Sequence, residues 1–311
     1  MLPLELTVLG TRAARPYPGE YTASAYLQCG GDRVLLDCGE GIQVQLATLG
    51  LSAVKLDAVC ITHLHGDHVY GLPGLLTSLA LAGRTKPLTL LGPPALATFV
   101  KTVLEASGAH LTYPLAYPTV SLTEPRAGVY HTRELSFATL PLRHRVPTVG
   151  FCVNTKSAGR RLRPGAVERY DISYRLIPAL RRGEDVALPT GRTLANAAVT
   201  LAPHPTRSVA YLTDTAALDD YPADWPAPDL LVHDATFISE DAELAASTGH
   251  STGAQAAAFA KTCDAGRLLL THLSPRYERA DLVLEDARGA LADNRLLEAT
   301  ELAVQGQRYT A

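Results

Sequence analysis

The sequence has few cysteines and no long apolar run, and each shortage excludes a class of protein. Five cysteines occur in 311 residues without a C-x-x-C pair, so neither a disulfide framework nor a thiolate zinc site is expected. No apolar run approaches the roughly 18 residues that span a membrane. The first residues show neither the basic segment nor the cleavage site of a signal peptide. We therefore expect a soluble, cytoplasmic protein without membrane contact.

An excess of charge of either sign is also missing. The chain carries 28 basic and 31 acidic residues, a net charge of −3, which argues neither for nor against a polyanionic partner. Hydrophobic residues make up 47% of the sequence, enough to build a substantial core in one large domain or two smaller ones. Extended disorder is therefore not expected.

What the sequence does contain is a series of short apolar runs that end in side chains able to bind metal. Such runs are typical of strands buried on both faces, and strand ends are where a rigid scaffold commonly displays its chemistry. With helical segments between the strands, the pattern predicts a layered α/β fold. The residues at these strand ends are Asp37, His63, His144, Asp214, His233, Asp234 and His272.

Side chains able to bind metal, which we call metal-type side chains, are densest in THLHGDH, residues 62–68. A single histidine at a strand end is usually a hydrogen-bonded core residue, but four such side chains in six positions favour a metal site. The spacing H-x-H-x-D-H directs its two pairs differently, which suits two neighbouring ions that need about seven protein ligands. The candidate ligands are His63, His65, Asp67, His68, His144, Asp214 and His272.

The order of these ligands along the chain, with LLDCGEG around Asp37 before them, resembles the metallo-β-lactamase superfamily. The resemblance implies one domain over residues 1–311, folded as a four-layer αβ/βα sandwich. It also implies two divalent ions, zinc or else manganese or iron, with Asp37 supporting the ligand loop. The implied ligands are His63, His65 and His144 for one ion, Asp67, His68 and His272 for the other, and Asp214 between them.

Finer motifs resemble the ribonuclease Z branch of that superfamily. DCGEGIQVQL, HGDHVYGLPGLL, HDATF, GHSTGAQAAAFA and LTHLSPRY occur in the order of that branch. The resemblance implies a homodimeric endonuclease that removes 3′ trailers from tRNA precursors by two-metal hydrolysis of a phosphodiester. Our hypothesis for the mechanism is that Asp67 orients the attacking water or accepts its proton, while His250, assisted by Asp234, protonates the leaving 3′ oxygen.

A basic segment, residues 155–195, lies between two ligand strands. Its nine basic and four acidic residues give a local charge of +5, and excess positive charge away from the metals suits contacts with RNA phosphates. In position it resembles the exosite arm of ribonuclease Z; a solvated insertion is the alternative interpretation. The arginines expected to bind substrate are Arg160, Arg161, Arg163, Arg181 and Arg182.

The N-terminal segment departs from the family pattern. Ribonuclease Z commonly has a P-x-K-x-R-N loop there, whereas this chain reads TRAARPYPGEY, with Arg12 and Arg15 as the available substitutes. The departure keeps open a phosphodiesterase for small or cyclic phosphodiesters, or another hydrolase of this fold. A third interpretation, an RNA-binding protein without catalysis, is disfavoured by the complete ligand set.

Overall fold

A computed structural model describes residues 2–291 and 295–311 of the chain. The chain divides into a central unit, residues 2–154 and 207–311, and a second unit, residues 155–206, which we call the basic unit. Each is described by itself below.

The strands and helices are short. The strands are β1 (Leu4–Gly10), β2 (Ser24–Cys29), β3 (Asp32–Leu36), β4 (Ala58–Cys60), β5 (Leu88–Leu91), β6 (Leu115–Ala116), β7 (Arg126–His131), β8 (Leu135–Pro141), β9 (Val149–Thr155), β10 (Arg161–Leu162), β11 (Val186–Ala187), β12 (Thr193–Leu194), β13 (Thr200–Leu201), β14 (Ser208–Leu212), β15 (Leu230–Asp234), β16 (Leu268–Thr271), β17 (Thr300–Leu302) and β18 (Arg308–Thr310). The helices are α1 (Ile42–Thr48), α2 (Gly66–Val69), α3 (Leu72–Leu81), α4 (Ala95–Ala106), α5 (Ala166–Arg169), α6 (Ile177–Arg182), α7 (Asn196–Val199), α8 (Ala242–Thr248), α9 (Gly253–Thr262) and α10 (Asp281–Gly289).

Two mixed sheets form the centre of the central unit. The first has the strand order β18-β1-β2-β3-β4-β5-β6, and the second has the order β17-β16-β15-β14-β9-β8-β7. From β3 to β6 neighbouring strands are parallel, as they are from β14 to β17. The parallel strands of each sheet therefore end at a common edge, which is where ligand sites form in α/β proteins.

The apolar residues of the strands alternate between two kinds of layer. Val34 of β3 and Val232 of β15 belong to one cluster between the two sheets. Leu35 packs with the cluster of α1, α3 and α4, and Leu231 packs with that of α9 and α10. Because successive side chains of a strand point to opposite faces, each sheet is covered by its partner sheet and by helices. This arrangement confirms the predicted four-layer αβ/βα sandwich.

Local sequence signals account for two of the helices that flank the site. Pro73 lies in the first turn of α3, where its missing N–H costs nothing. Thr252 caps α9 in a capping box with Gln255. Both helices therefore begin where a local sequence signal favours a helix start.

The basic unit has an apolar core of its own. Ile172, Leu180 and Val199 are among the buried residues of this core, and β10 pairs with β13. The unit therefore continues past residue 195 to residue 206, because Val199 and β13 are needed to close it.

None of the helices in the described part of the chain has the length and apolarity needed to cross a membrane.

Candidate metal centre

The seven candidate ligands lie at the edge where the strands of both sheets end. His63 follows β4, Asp214 follows β14 and His272 follows β16. Asp214 and His272 have positive φ values of 56° and 59°, a left-handed conformation that is costly for residues other than glycine. Strain of this kind is common at functional sites.

A first group of ligand atoms comprises His63 Nε2, His65 Nδ1, His144 Nε2 and Asp214 Oδ1. His65 Nδ1 lies 3.0 Å from His63 Nε2 and 3.3 Å from His144 Nε2. Asp214 Oδ1 lies 3.6 Å from His63 Nε2 and 3.9 Å from His144 Nε2. The four atoms thus form one compact set.

A second group uses the other oxygen of the same aspartate. Asp214 Oδ2 lies 3.2 Å from His68 Nε2 and 3.3 Å from His272 Nε2. Asp67 Oδ2 lies 3.3 Å from His68 Nε2 and 3.6 Å from His272 Nε2. Asp214 is therefore shared between the two groups, one oxygen for each.

These separations fit divalent metal. A tetrahedral ion with bonds of about 2.0 Å to nitrogen and oxygen places its ligand atoms roughly 3.3 Å apart. The distances within both groups scatter around that value. Moreover, His68 Nε2 and His272 Nε2 are buried and have no hydrogen-bond partner among the described residues, a cost that a metal bond would remove.

The opposite ring nitrogen of four histidines is hydrogen-bonded to a group outside the cluster. His68 Nδ1 donates to Asp37 Oδ2 (2.8 Å) and His144 Nδ1 donates to the carbonyl oxygen of Gly249 (2.7 Å). His63 Nδ1 and His272 Nδ1 lie 3.0 Å and 2.8 Å from threonine hydroxyls. Because a ring with its proton on Nδ1 keeps its lone pair on Nε2, these contacts orient four lone pairs towards the centre. The predicted supporting contact of Asp37 is present in this structure.

The pKa values of the candidate ligands are shifted in both directions. Burial alone would lower the pKa of His68 and of His272, but the nearby carboxylates, Asp214 first, outweigh it and raise both. Burial lowers the pKa of His63 well below its ordinary value, and the neighbouring His68 acts in the same direction. Burial also lowers the pKa of His144. Burial alone would raise the pKa of Asp67, but hydrogen bonds from His272 and His68 outweigh it and lower that pKa. Neutral imidazoles and ionised carboxylates are the metal-binding forms.

His250 and Asp234 form a pair beside the cluster. His250 Nδ1 donates to Asp234 Oδ2 over 2.8 Å, and the His250 ring stacks on that of His272 with centroids 5.1 Å apart. Asp234 is fully buried and also accepts a hydrogen bond from the backbone N–H of Thr215. The carboxylate of Asp234 therefore contacts His250 directly.

A cleft of about 530 Å³ opens above these residues. Asp67, Asp214, His250 and His272 line it together with Arg145. Arg145 is exposed, and its positive charge contributes to lowering the pKa of His65, after burial. The cleft is therefore lined by the positively charged side chain of Arg145 as well as by metal-type side chains.

Family models and known proteins match most of the chain. The sequence profile described as "Anti-Pycsar protein Apyc1" matches residues 4–157, and that described as "Beta-lactamase superfamily domain" matches residues 166–273. Ribonuclease Z of Porphyromonas gingivalis is 34% identical over 288 residues, covering 93% of this chain and 94% of that protein. Ribonuclease Z of Brevibacillus brevis is 37% identical over 306 residues, covering 96% and 94%. The crystal structure of the short form of human tRNase Z superposes with a TM-score of 0.67 at 26% identity, covering 98% of both chains.

The chain belongs to the ribonuclease Z family. Its cluster of histidines and aspartates, on a metallo-β-lactamase fold, has the composition of a divalent-metal site. A third possible set of ligand atoms, from Asp214, His250 and His272, is also close enough to hold an ion.

In this ribonuclease Z family member, one of the two arginines that could replace the missing N-terminal motif is held in an ion pair. Arg12 donates from both Nε and Nη2 to the carboxylate of Glu20, over 2.7 and 2.8 Å. Arg15 lies over the ring of Tyr17 at 4.8 Å. The same segment approaches the metal centre through its backbone, because Ala14 N–H donates to Asp67 Oδ2. Arg12 is therefore held by an acid, whereas Arg15 is exposed.

The five arginines expected to bind substrate in the basic unit differ in their surroundings. Arg160 donates to the hydroxyl of Thr200, and Arg182 is paired with Glu184. Arg161 and Arg163 each donate to a backbone carbonyl of the unit, and Arg181 is exposed. Most of these side chains therefore also have a structural contact.

The other histidines lie outside the cluster. His233 is buried, donates from Nδ1 to a backbone carbonyl and packs against Phe259, so its position at the end of β15 serves the core. His110, His131 and His204 are exposed.

Sequence reasoning missed three groups that the structure places at the site. They are the hydroxyls of Thr62 and Thr236 and the guanidinium of Arg145. The only available signal was proximity along the chain, since Thr62 precedes His63, Arg145 follows His144 and Thr236 lies two residues after Asp234.

Proposed function

We propose that this protein is an endonuclease that removes 3′ trailers from tRNA precursors. The observation that carries the proposal is the joint presence of two metal-type groups sharing Asp214 and a separate His250–Asp234 pair on one cleft. The first provides the centre of a two-metal hydrolase, and the second provides a proton donor. The relatives named ribonuclease Z, which match almost the whole chain, supply the substrate class.

The proposed ligands are His63, His65 and His144 for one ion and Asp67, His68 and His272 for the other, with Asp214 bridging. We propose zinc, because nitrogen and oxygen ligands with near-tetrahedral spacing suit it. Bound divalent ions supply Lewis-acid stabilisation of the charge on the phosphoryl oxygens and lower the pKa of nearby water.

The side chains of the cleft handle the protons. Asp67 accepts a proton from the attacking water while the new bond from oxygen to phosphorus forms. The bond from phosphorus to the 3′ oxygen breaks, and His250 gives that oxygen a proton from Nε2. Asp234 accepts the hydrogen bond from His250 Nδ1 and so stabilises the imidazolium before transfer. The products carry a 3′ hydroxyl and a 5′ phosphate.

Arg145 is the proposed contact for a substrate phosphate in the cleft. Its guanidinium is exposed beside His65 and His250, and arginine matches the geometry of phosphate oxygens. The arginines of the basic unit, Arg160, Arg161, Arg163, Arg181 and Arg182, are proposed to add contacts to the RNA backbone outside the cleft.

A second candidate function is hydrolysis of small or cyclic phosphodiesters. It is favoured by the N-terminal segment, where Arg12 is paired with Glu20 and no Lys-x-Arg-Asn occurs. A small substrate would need only the metal-type groups, His250 and Arg145.

One assay separates the two candidates. The purified, zinc-loaded protein is given a tRNA precursor and, in parallel, a bis-aryl phosphodiester, and the RNA ends are mapped. The proposal requires cleavage at the 3′ end of the tRNA body with a 3′ hydroxyl and a 5′ phosphate. Turnover of the small ester with intact RNA would select the second candidate, and turnover of a thioester or lactone alone would exclude both.

We further propose that the protein acts as a homodimer in the cytoplasm. An apolar groove between α1 and α3 supports a dimer, and Val44 and Leu81, on the same helices, are 59% and 90% exposed. Covering such residues would remove apolar surface from water. Light scattering after size exclusion tests this, with Leu81→Glu expected to shift a dimer towards monomer.

A further inference from the structure

Two hydrogen-bond chains with the same order of groups lie on opposite sides of the cluster. On one side, His63 Nδ1 lies 3.0 Å from Thr62 Oγ1, and that hydroxyl lies 3.0 Å from both oxygens of Asp37. Asp37 is fully buried and also accepts from the backbone N–H of Thr62 over 2.8 Å. A ligand histidine, a threonine and a carboxylate are thus connected in sequence.

The second chain repeats this order in the other sheet. His272 Nδ1 lies 2.8 Å from Thr236 Oγ1, and that hydroxyl lies 2.6 Å from Asp234 Oδ1. Asp234 also accepts from the backbone N–H of Thr236 over 2.9 Å. Its other oxygen accepts from His250, as the second oxygen of Asp37 accepts from His68.

The direction of each chain is determined by its carboxylate. An ionised carboxylate can only accept hydrogen bonds, and so can the backbone carbonyl oxygen of His272, which lies 3.0 Å from Thr236 Oγ1. The single proton of each threonine hydroxyl is therefore directed to one of these acceptors. The hydroxyl oxygen must then accept from the imidazole, which places the imidazole proton on Nδ1. The lone pair of that ring is left on Nε2, the atom that faces the cluster in both His63 and His272.

We propose that Thr62 and Thr236 are a matched pair of positioning residues, one for each ion. Each hydroxyl fixes the Nδ1–H tautomer and the ring orientation of one ligand histidine, Thr62 for His63 and Thr236 for His272. Asp234 therefore positions both the proton donor His250 and, through Thr236, a metal ligand. This inference rests on the proposed metal centre and concerns metal affinity, not the choice of substrate.

The proposal is tested by removing one hydroxyl at a time without changing side-chain shape. Thr62→Val and Thr236→Val are each expected to lose one of two zinc ions on dialysis against a zinc buffer, or to bind it roughly 10- to 100-fold more weakly. Thr62→Ser and Thr236→Ser retain the hydroxyl and should recover both ions. Metal content and chelator competition are measured on each full-length variant.

Thr139 provides the matched control. It is buried, and its hydroxyl has no hydrogen-bond partner among the described residues, so Thr139→Val should bind two ions with unchanged affinity. Two zinc ions at wild-type affinity in both site variants would overturn the proposal. Equal weakness of the serine and valine variants would do so as well, since the methyl group and not the hydroxyl would then matter.

A measurement on the unaltered protein covers the case in which a valine variant does not fold. Long-range proton–nitrogen NMR of the zinc-loaded protein should show the proton on Nδ1 of His63 and His272. A proton on Nε2 of either ring would overturn the proposal for that side. If two ions bind as expected but no tRNA precursor is cleaved, the proposed function fails while this inference stands.

Discussion

At the residue scale, exposure distinguishes the roles of the histidines that donate from Nδ1. His68 and His272 each donate from Nδ1 and leave a buried Nε2 facing the cluster. His250 also donates from Nδ1 to a carboxylate, but its ring lies on the cleft and its side chain is 11% exposed. We therefore assign it to the substrate, although its nitrogen is close enough to Asp214 and His272 to act as a ligand.

Replacing His250 by Ala separates these two roles. As a proton donor, His250 is expected to contribute ~10² to 10⁴ in rate, so turnover should fall by that factor while zinc content and thermal stability stay close to wild type. Single-turnover cleavage and metal analysis of the same preparation measure both quantities. Loss of an ion in this variant would instead place His250 among the ligands.

Arg145 and Arg143 offer a comparison within one loop. Arg145 lines the cleft, whereas Arg143 is paired with Asp219 and donates to the carbonyl of Ala217. A hydrogen bond to a charged group is worth about 1.5–3 kcal/mol, so Arg145→Ala should lower kcat/KM for a tRNA precursor by roughly 10- to 100-fold, mainly through KM. Arg143→Ala should leave it nearly unchanged, because exposed ion pairs contribute little. Equal effects of the two changes would contradict a phosphate contact at Arg145.

At the element scale, the basic unit separates from the central unit at neighbouring positions of one sheet. Asn154 of β9 pairs with Ser208 of β14, so the chain leaves and re-enters the sheet on adjacent strands. The unit has its own apolar core. It also contains the basic segment, residues 155–195, with its local charge of +5. Its removal should leave the metal-type side chains on their strand ends.

Removal of the basic unit should affect cleavage of RNA and hydrolysis of a small phosphodiester differently. Replacing residues 156–206 by a short Gly/Ser link should sharply reduce cleavage of a tRNA precursor and make the salt dependence of RNA binding shallower, because fewer counterions are released. Hydrolysis of a bis-aryl phosphodiester should survive. A parallel loss of both activities would show that the unit supports the site itself, and unchanged RNA cleavage would reduce it to a solvated insertion.

The arrangement of the strands explains why much of the candidate site could be predicted from the sequence. The ligands follow short buried strands, and strands of one sheet end at one edge, so Asp214 and His272 could be assigned from pattern and family order. Hydrogen bonds between distant segments left no such signal. The contacts between Thr236 and His272 and between Arg12 and Glu20 depend on how loops pack after folding. The end of the basic unit was missed because Val199 belongs to its core without changing the local charge.

At the scale of the whole molecule, the candidate metal centre is built from both sheets of the central unit. The first sheet supplies His63, His65, Asp67 and His68 from the segment after β4, and the second supplies Asp214 and His272. Asp214 directs one oxygen to each group. The two groups therefore depend on one another and on the packing of both sheets.

Anomalous diffraction at the zinc edge tests this central claim most directly. Crystals of the zinc-loaded protein should show two peaks roughly 3.5–4 Å apart, with Asp214 between them. One peak should lie against His63, His65 and His144, and the other against Asp67, His68 and His272. A single peak, or a structure in which His144 or His272 points away from the ions, would contradict the account.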